Sequence, residues 1–279
     1  MSRDVAARQE KGVRMGGVAS AFTAADGSRK KAFIPFVTCG DPSIGLTEQV
    51  VRAMERAGAD LIELGIPFSD PTAEGPTIRK ANVRALKNHV TTDEVIDMVA
   101  RLRSGGLGVP LVFMTYANML FSYGLKRFAK RAAEAGVDGV VLPDVPHEEK
   151  QEFMGPLGAE GLDLVSLVAP TSHDRIRKIA LDAQGFVYVV SSLGVTGVRS
   201  KIVTDIPAMV RLVREANPTI PTAVGFGIST PEQAAALAGE SDGAIVGSAI
   251  VRLLAQHGAD AVPYVEDYVR EMAKATHGA

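Results

Sequence analysis

The chain has 279 residues, with 30 Lys and Arg against 32 Asp and Glu, a formal net charge of −2, one cysteine and no tryptophan. That balance gives no electrostatic pull toward nucleic acid or an anionic membrane, and no apolar run nears the ~20 residues that a bilayer span needs. The lone Cys39 excludes an internal disulfide framework and fits a reducing, cytoplasmic setting.

Residues 1–17 read as a tail, with no apolar stretch of signal-peptide length. Seven Lys and Arg against three acids over residues 1–31 give a faint likeness to a transit peptide, which Asp4 and Glu10 weaken. A short helix is expected near Val18–Ala24. From Phe33 onward, short apolar runs alternate with longer helical patterns. The strands expected are Phe33–Thr38, Leu61–Gly65, Leu111–Thr115, Gly139–Leu142, Asp163–Val168, Phe186–Val190, Thr222–Gly225 and Gly243–Val246. They are apolar throughout rather than alternating, as parallel strands covered on both faces are. Between them, Leu46–Ala57, Leu125–Ala135, Ile202–Asn217 and Pro231–Ala238 carry apolar residues three and four apart. Gly58, Gly136 and Gly161 stand where helices end, and Ser229-Thr230-Pro231 reads as a cap followed by a helix start. Eight strand and helix repeats predict an α/β fold, a single (β/α)8 TIM barrel over residues 18–279 with an extra N-terminal helix. A doubly wound open sheet is the rival. Two connections exceed the usual two to six residues: Ile66 to about Ala81, and Ser191 to about Thr204. Both leave carboxyl ends of strands, where barrels place their active sites.

Three features could carry chemistry. Glu63 sits in D-L-I-E-L-G-I-P, flanked by leucine and isoleucine. Burying an ionised carboxylate there is expensive, so it either raises its pKa, which suits proton transfer, or finds a structural salt-bridge partner. The loop S-D-P-T-A-E-G-P, residues 69–76, adds Asp70, whose position before Pro71 suits a turn, and Glu74, which could fold back over the barrel mouth as a second acid or base. The turns G-F-G-I-S (Gly225–Ser229) and V-G-S-A-I (Val246–Ile250) follow the seventh and eighth strands, where backbone N–H groups and helix starts make anion sites. Gly194-Val195-Thr196-Gly197 could close such a cradle from the side. Phe36, Phe113, Met114, Tyr116 and Leu142 would line a flat aromatic pocket or simply fill the core. The five histidines show no metal-ligand spacing, and nucleophile elbow, P-loop and dinucleotide motifs are absent.

The runs F-I-P-F-V-T-C-G-D-P (33–42), D-L-I-E-L-G-I-P-F-S-D-P (60–71), G-P-T-I (75–78), M-T-Y-A-N (114–118), D-V-P (144–146), S-S-L-G-V-T-G (191–197), G-F-G-I-S (225–229) and G-S-A-I (247–250) resemble the tryptophan synthase α subunit family. The resemblance spans roughly residue 18 to the C-terminus. It implies a carbon–carbon lyase that cleaves indole-3-glycerol phosphate to indole and glyceraldehyde 3-phosphate without a metal or cofactor of its own. By that resemblance Glu63 is the proton shuttle, Glu74 holds the indole N–H and Tyr188 stands near the reacting carbon. Phe36 and Tyr116 match the indole pocket, Gly194, Gly225, Gly227, Gly247 and Ser248 the phosphate site, and Thr196 a lid residue. The implied partner is the β subunit, carrying pyridoxal phosphate, in an α2β2 heterotetramer, with Asp70 near the shared face. The family usually has aspartate where this chain has Glu74. The extra methylene adds about 1.5 Å of reach, so either the loop backbone retreats or the lyase is slow. A stand-alone lyase, a phosphosugar or thiamine-pathway barrel and a weakly active regulatory subunit remain the other readings.

Overall fold

The computed structural model describes residues 17–190, 205–225 and 227–279. Eight parallel strands close into a barrel in sequence order: β1 (Ala32–Thr38), β2 (Ile62–Gly65), β3 (Leu111–Met114), β4 (Gly139–Val141), β5 (Asp163–Val168), β6 (Gln184–Val190), β7 (Thr222–Gly225) and β8 (Gly243–Val246). Closure through the β1–β8 pairing, Ala32 against Gly243 through Pro35 against Val246, rules out the open sheet. Around it lie α1 (Ile44–Arg56), α2 (Pro76–Lys87), α3 (Thr92–Ser104), α4 (Ala117–Tyr123), α5 (Leu125–Ala135), α6 (Gln151–Ala159), α7 (His173–Leu181), α8 (Ile206–Ala216), α9 (Pro231–Glu240), α10 (Ser248–His257) and α11 (Ala261–His277). No helix among the described residues is long and apolar enough to cross a membrane.

The expected boundaries hold to within a few residues, with two differences. The connection after β2 ends earlier than expected, because Pro76, capped by Gly75, starts α2 five residues before Ala81; proline at the first helical position is already set for the helix. The N-terminal helix is a single 3-10 segment, Val18–Phe22, with no side-chain cap, and the chain turns extended at Thr23. Its buried Val18, Ala21 and Phe22 plug the barrel floor, with Phe22 against Phe186 at 5.4 Å between ring centres. The tail expected over 1–17 lies outside the described residues apart from Gly17, and so does the connection over 191–204.

The core has two shells. Alternate strand residues, among them Ile34, Phe36, Val112, Met114, Val165 and Tyr188, fill the barrel interior. Their neighbours, such as Ile62, Leu64, Phe113 and Val140, face the outer helices. Phe113 packs on Phe128 of α5 at 6.1 Å and not in the central pocket, since strand alternation points it away from Val112 and Met114.

At the amino ends of the strands a bonding pattern recurs four times. Phe33 N–H opens β1 by donating to Asp60 Oδ2 at 2.8 Å, while Asp60 N–H donates to the Phe33 carbonyl at 3.0 Å. Leu111 of β3 and Asp138 make the same pair, at 2.8 Å both ways, and Thr222 of β7 makes it with Asp242, at 2.9 and 2.8 Å. For β5 the acceptor is the Gln184 amide oxygen, 3.1 Å from Leu164 N. In each case a residue at or just before the start of an even strand accepts from the first or second amide of the odd strand before it. Basic groups neutralise the acids: Lys30 at Asp60, whose Oδ2 also meets the His277 ring, Arg103 at Asp138, Arg29 and Arg214 at Asp242.

Asp138→Ala removes the acceptor of Leu111 N–H and the partner of a largely buried Arg103. It should lower unfolding stability by on the order of 3 kcal/mol in a denaturant titration, with ligand affinity at the far end of the barrel unchanged.

Candidate active site

Glu63 faces inward from β2 and pairs in register with Phe36 of β1 and Val112 of β3. Its flanking residues Ile62 and Leu64 point outward into the helix layer, so the strand's alternation alone turns the carboxyl to the barrel axis. Glu63 is 2% exposed, and its Oε1 has no hydrogen-bond partner among the described residues. Burial, with the negative charge of Glu74 adding to it, pushes its pKa up to about 8. The structural salt bridge that was its other reading is absent among the described residues: no basic residue lines the cavity that Glu63 faces.

That cavity, about 40 Å³, is lined by Glu63, Glu74, Tyr188, Phe36, Met114 and Gly247 and by their neighbours Ile78, Gly227, Ile228, Ile245 and Ser248. It lies at the carboxyl ends of the strands. A wider one of about 360 Å³ shares Ala73 with it and includes Leu142, Pro143 and Leu167 in its wall.

Glu74 reaches the cavity from the β2–α2 loop, immediately before the Gly75 cap of α2. It is buried and donor-rich where Glu63 is donor-poor. Asn82 Nδ2, from α2, donates to Oε2 at 2.5 Å, and the Tyr116 hydroxyl also bonds the carboxylate. Burial pushes the Glu74 pKa up, the two hydrogen bonds pull it down, and the balance sits at about 7. Two buried carboxyl groups therefore share one cavity in unlike surroundings, the arrangement that separates an acid from a base.

Tyr188, on β6, is buried with its phenol pKa raised by burial and by the charge of Glu63. Gly225 gives it room: a Cβ there would lie 2.5 Å from the Tyr188 hydroxyl, so Gly225 backs the tyrosine and is not part of the cavity lining. Gly227 holds φ +84°, a backbone that side chains strain, and lines the cavity with Ile228. Opposite, Gly247 precedes α10 without a side-chain cap, leaving the first-turn N–H groups of Ser248 and its successors for an anion. Both glycine turns thus reach the wall that Glu63 faces. Tyr116 does not line this cavity. It stands behind Glu74 with its ring 5.1 Å from that of Phe68, and its hydroxyl accepts from Ala73 N–H at 3.4 Å. Gly194 and Thr196 lie outside the described residues. Asp70 is exposed and accepts from the Ser69 hydroxyl at 2.5 Å. Asn82 escaped the sequence reading, although a polar residue four positions after Ile78 and three before Ala85, on the apolar face of a helix, was the available signal.

Two buried carboxyl groups facing one cavity, at the carboxyl end of a closed parallel barrel, place the chain in the class of (β/α)8 barrels that carry their site at that end. Within that class the chain belongs to the tryptophan synthase alpha chain family, whose model matches residues 22–277. It is 47% identical to the tryptophan synthase alpha chain of Lactiplantibacillus plantarum over 249 residues, 89% of this chain and 93% of that one. The Geobacter sulfurreducens alpha chain is 48% identical over 240 residues, covering 86% and 90%. Among solved structures, Mycobacterium tuberculosis tryptophan synthase superposes with a TM-score of 0.81 at 33% identity, covering 89% of this chain and 93% of that one. The tryptophan synthase subunit alpha of Legionella pneumophila gives 0.81 at 36%, covering 89% and 94%.

The raised Glu63 pKa has a measurable consequence for stability. In the unfolded chain this group loses its proton near 4.5, in the fold at about 8. Between those values the folded state holds a proton that the unfolded state does not, so stability falls as pH rises across the window. Glu63→Gln cannot ionise. Its thermal midpoint should equal the parent's near pH 4.5 and exceed it increasingly up to pH 8, a gap worth several kcal/mol.

Proposed function

We propose that the cavity cleaves indole-3-glycerol phosphate to indole and glyceraldehyde 3-phosphate by acid–base catalysis, as the α half-reaction of tryptophan synthesis. The observation that carries the reading is the contrast between two carboxyl groups in one cavity: Glu63 without a hydrogen-bond donor on Oε1, Glu74 with two. Near neutral pH Glu63 is protonated and Glu74 is the first of the pair to ionise.

The sequence of events follows from those states. Anionic Glu74 accepts the indole N–H and stabilises the positive charge that develops on the ring. Glu63 gives its proton to ring carbon C3, making the ring an electron sink. The Glu63 carboxylate so formed removes the proton of the glycerol hydroxyl next to the scissile bond. That hydroxyl becomes the aldehyde carbonyl, the carbon–carbon bond breaks, its electron pair returns to the ring, and Glu63 ends protonated for the next turnover. Tyr188 flanks the reacting carbon and Phe36 packs against the indole. Gly227, Gly247 and Ser248 hold the phosphate with backbone N–H groups, with Gly225 keeping Tyr188 in place beside them. No step calls on a metal or cofactor in this chain.

The family pairs this half-reaction with a β subunit that carries pyridoxal phosphate. We extend that to an α2β2 heterotetramer in the cytoplasm, with the loop bearing exposed Asp70 facing the β subunit.

The mechanism requires Glu74 ionised and Glu63 protonated. Indole release should therefore follow a bell in pH, with limbs near 7 and near 8. Glu63→Gln should lose about 10³-fold in kcat while calorimetry still registers substrate binding. Retained turnover in that variant removes Glu63 from the chemistry. A separate assay tests the partnership: turnover by the chain alone should be slow and accelerate when purified tryptophan synthase β subunit is added. Equal rates would make this a stand-alone lyase.

A further inference from the structure

Glutamate has one torsion more than aspartate, so a glutamate at position 74 can point its carboxylate in several directions within a pocket. Something must choose among them. The β2–α2 loop brings Glu74 only as far as the helix start. Eight residues later Asn82 lies almost two turns into α2, 3% exposed, on the face that also buries Ile78 and Ala85. Its side-chain amide meets Glu74 Oε2 at 2.5 Å. The Tyr116 hydroxyl, from the end of β3, donates to the same carboxylate and accepts from Ala73 N–H. Each carboxylate oxygen has two lone pairs, so a carboxylate held by these two donors keeps capacity for a third, from a ligand.

We propose that Asn82 is a positioning residue for the lyase reaction: from the buried face of α2 it fixes the torsions of the longer Glu74 side chain and orients its carboxylate toward the indole N–H. The inference rests on the role given to Glu74 above and deepens it. Asn82 is not among the residues that line the cavity. It makes the chain's glutamate a workable substitute for the family's aspartate by anchoring the carboxylate from the helix. A neutral amide donor suits that task, because it favours the ionised carboxylate without tying it up in an ion pair. Among the described residues, the titratable groups sharing the surroundings of Glu74 are Glu63 from β2, Tyr188 from β6 and Tyr116 from the end of β3, with no basic side chain in the cavity lining.

The test is steady-state indole release by the full chain, across pH, for Asn82→Leu, close in size but without a donor, and for Asn82→Ala. The expected result is about tenfold lower kcat with KM little changed, and an acid limb displaced upward by about one pH unit, because the ionised form of Glu74 has lost a donor. Moving the methylene across the contact, in the double variant Glu74→Asp with Asn82→Gln, should bring the acid limb back. Parental kcat and parental acid limb in both single variants overturn the inference. So does a slower enzyme whose acid limb stays in place, the signature of loosened packing alone. Glu74→Gln separates the two levels: if it abolishes turnover while the Asn82 variants behave as the parent, the proposed function stands and the role of Asn82 falls. If Glu74→Gln turns over like the parent, both fall together.

Discussion

A carboxyl group held away from water, with one oxygen lacking any donor, cannot stay charged at neutral pH, and the open end of the barrel is arranged around that constraint. Glu63 is neutral because the β2 backbone gives it no choice of direction: its neighbours on the strand belong to the outer shell, so it must point to the axis. The same cavity contains Glu74, which the α2 helix and Tyr116 supply with donors. Two chemically identical groups become an acid and a base through their surroundings alone. The burial that keeps Glu63 protonated for proton donation also makes stability depend on pH. Protonated Glu63 is the form the fold prefers, and the same preference weakens the fold as the medium becomes alkaline.

Most of the architecture was legible before any coordinates. The eight apolar runs could only be covered strands, and the helices between them set a parallel order. Glu63 stood out because a charged residue inside such a run has no solvent to face. Other features were hidden for identifiable reasons. In strands apolar on both faces, nothing in the pattern distinguishes inward Met114 from outward Phe113. Tyr116 read as a pocket aromatic, because sequence does not reveal which end of a tyrosine is used; its hydroxyl turned out to serve Glu74. Asn82 looked like an ordinary helix residue, since its partner lies on the preceding loop and the contact exists only once α2 has packed.

The two ends of the barrel solve opposite problems. At the floor, acids are satisfied by strand amides and neutralised by Lys30, Arg103, Arg214 and their companions, with a 3-10 plug sealing the interior. At the mouth, Glu63 and Glu74 share a cavity with no basic side chain among the described residues of its lining, and Gly247 starts α10 without a side-chain cap. The rigid floor fixes the register of the strands, and that register aims Glu63 and Tyr188 at one cavity.

The floor also divides the strands by parity. Each of these side-chain bonds joins an odd strand to the even strand that follows it, so β1 goes with β2, β3 with β4, β5 with β6 and β7 with β8. A chain opened after an even strand keeps every such pair inside one fragment, whereas a chain opened after an odd strand severs one. Circular permutants and split halves of this barrel should therefore sort into two groups according to where the new ends fall, with those cut at quarter boundaries the better able to reassemble.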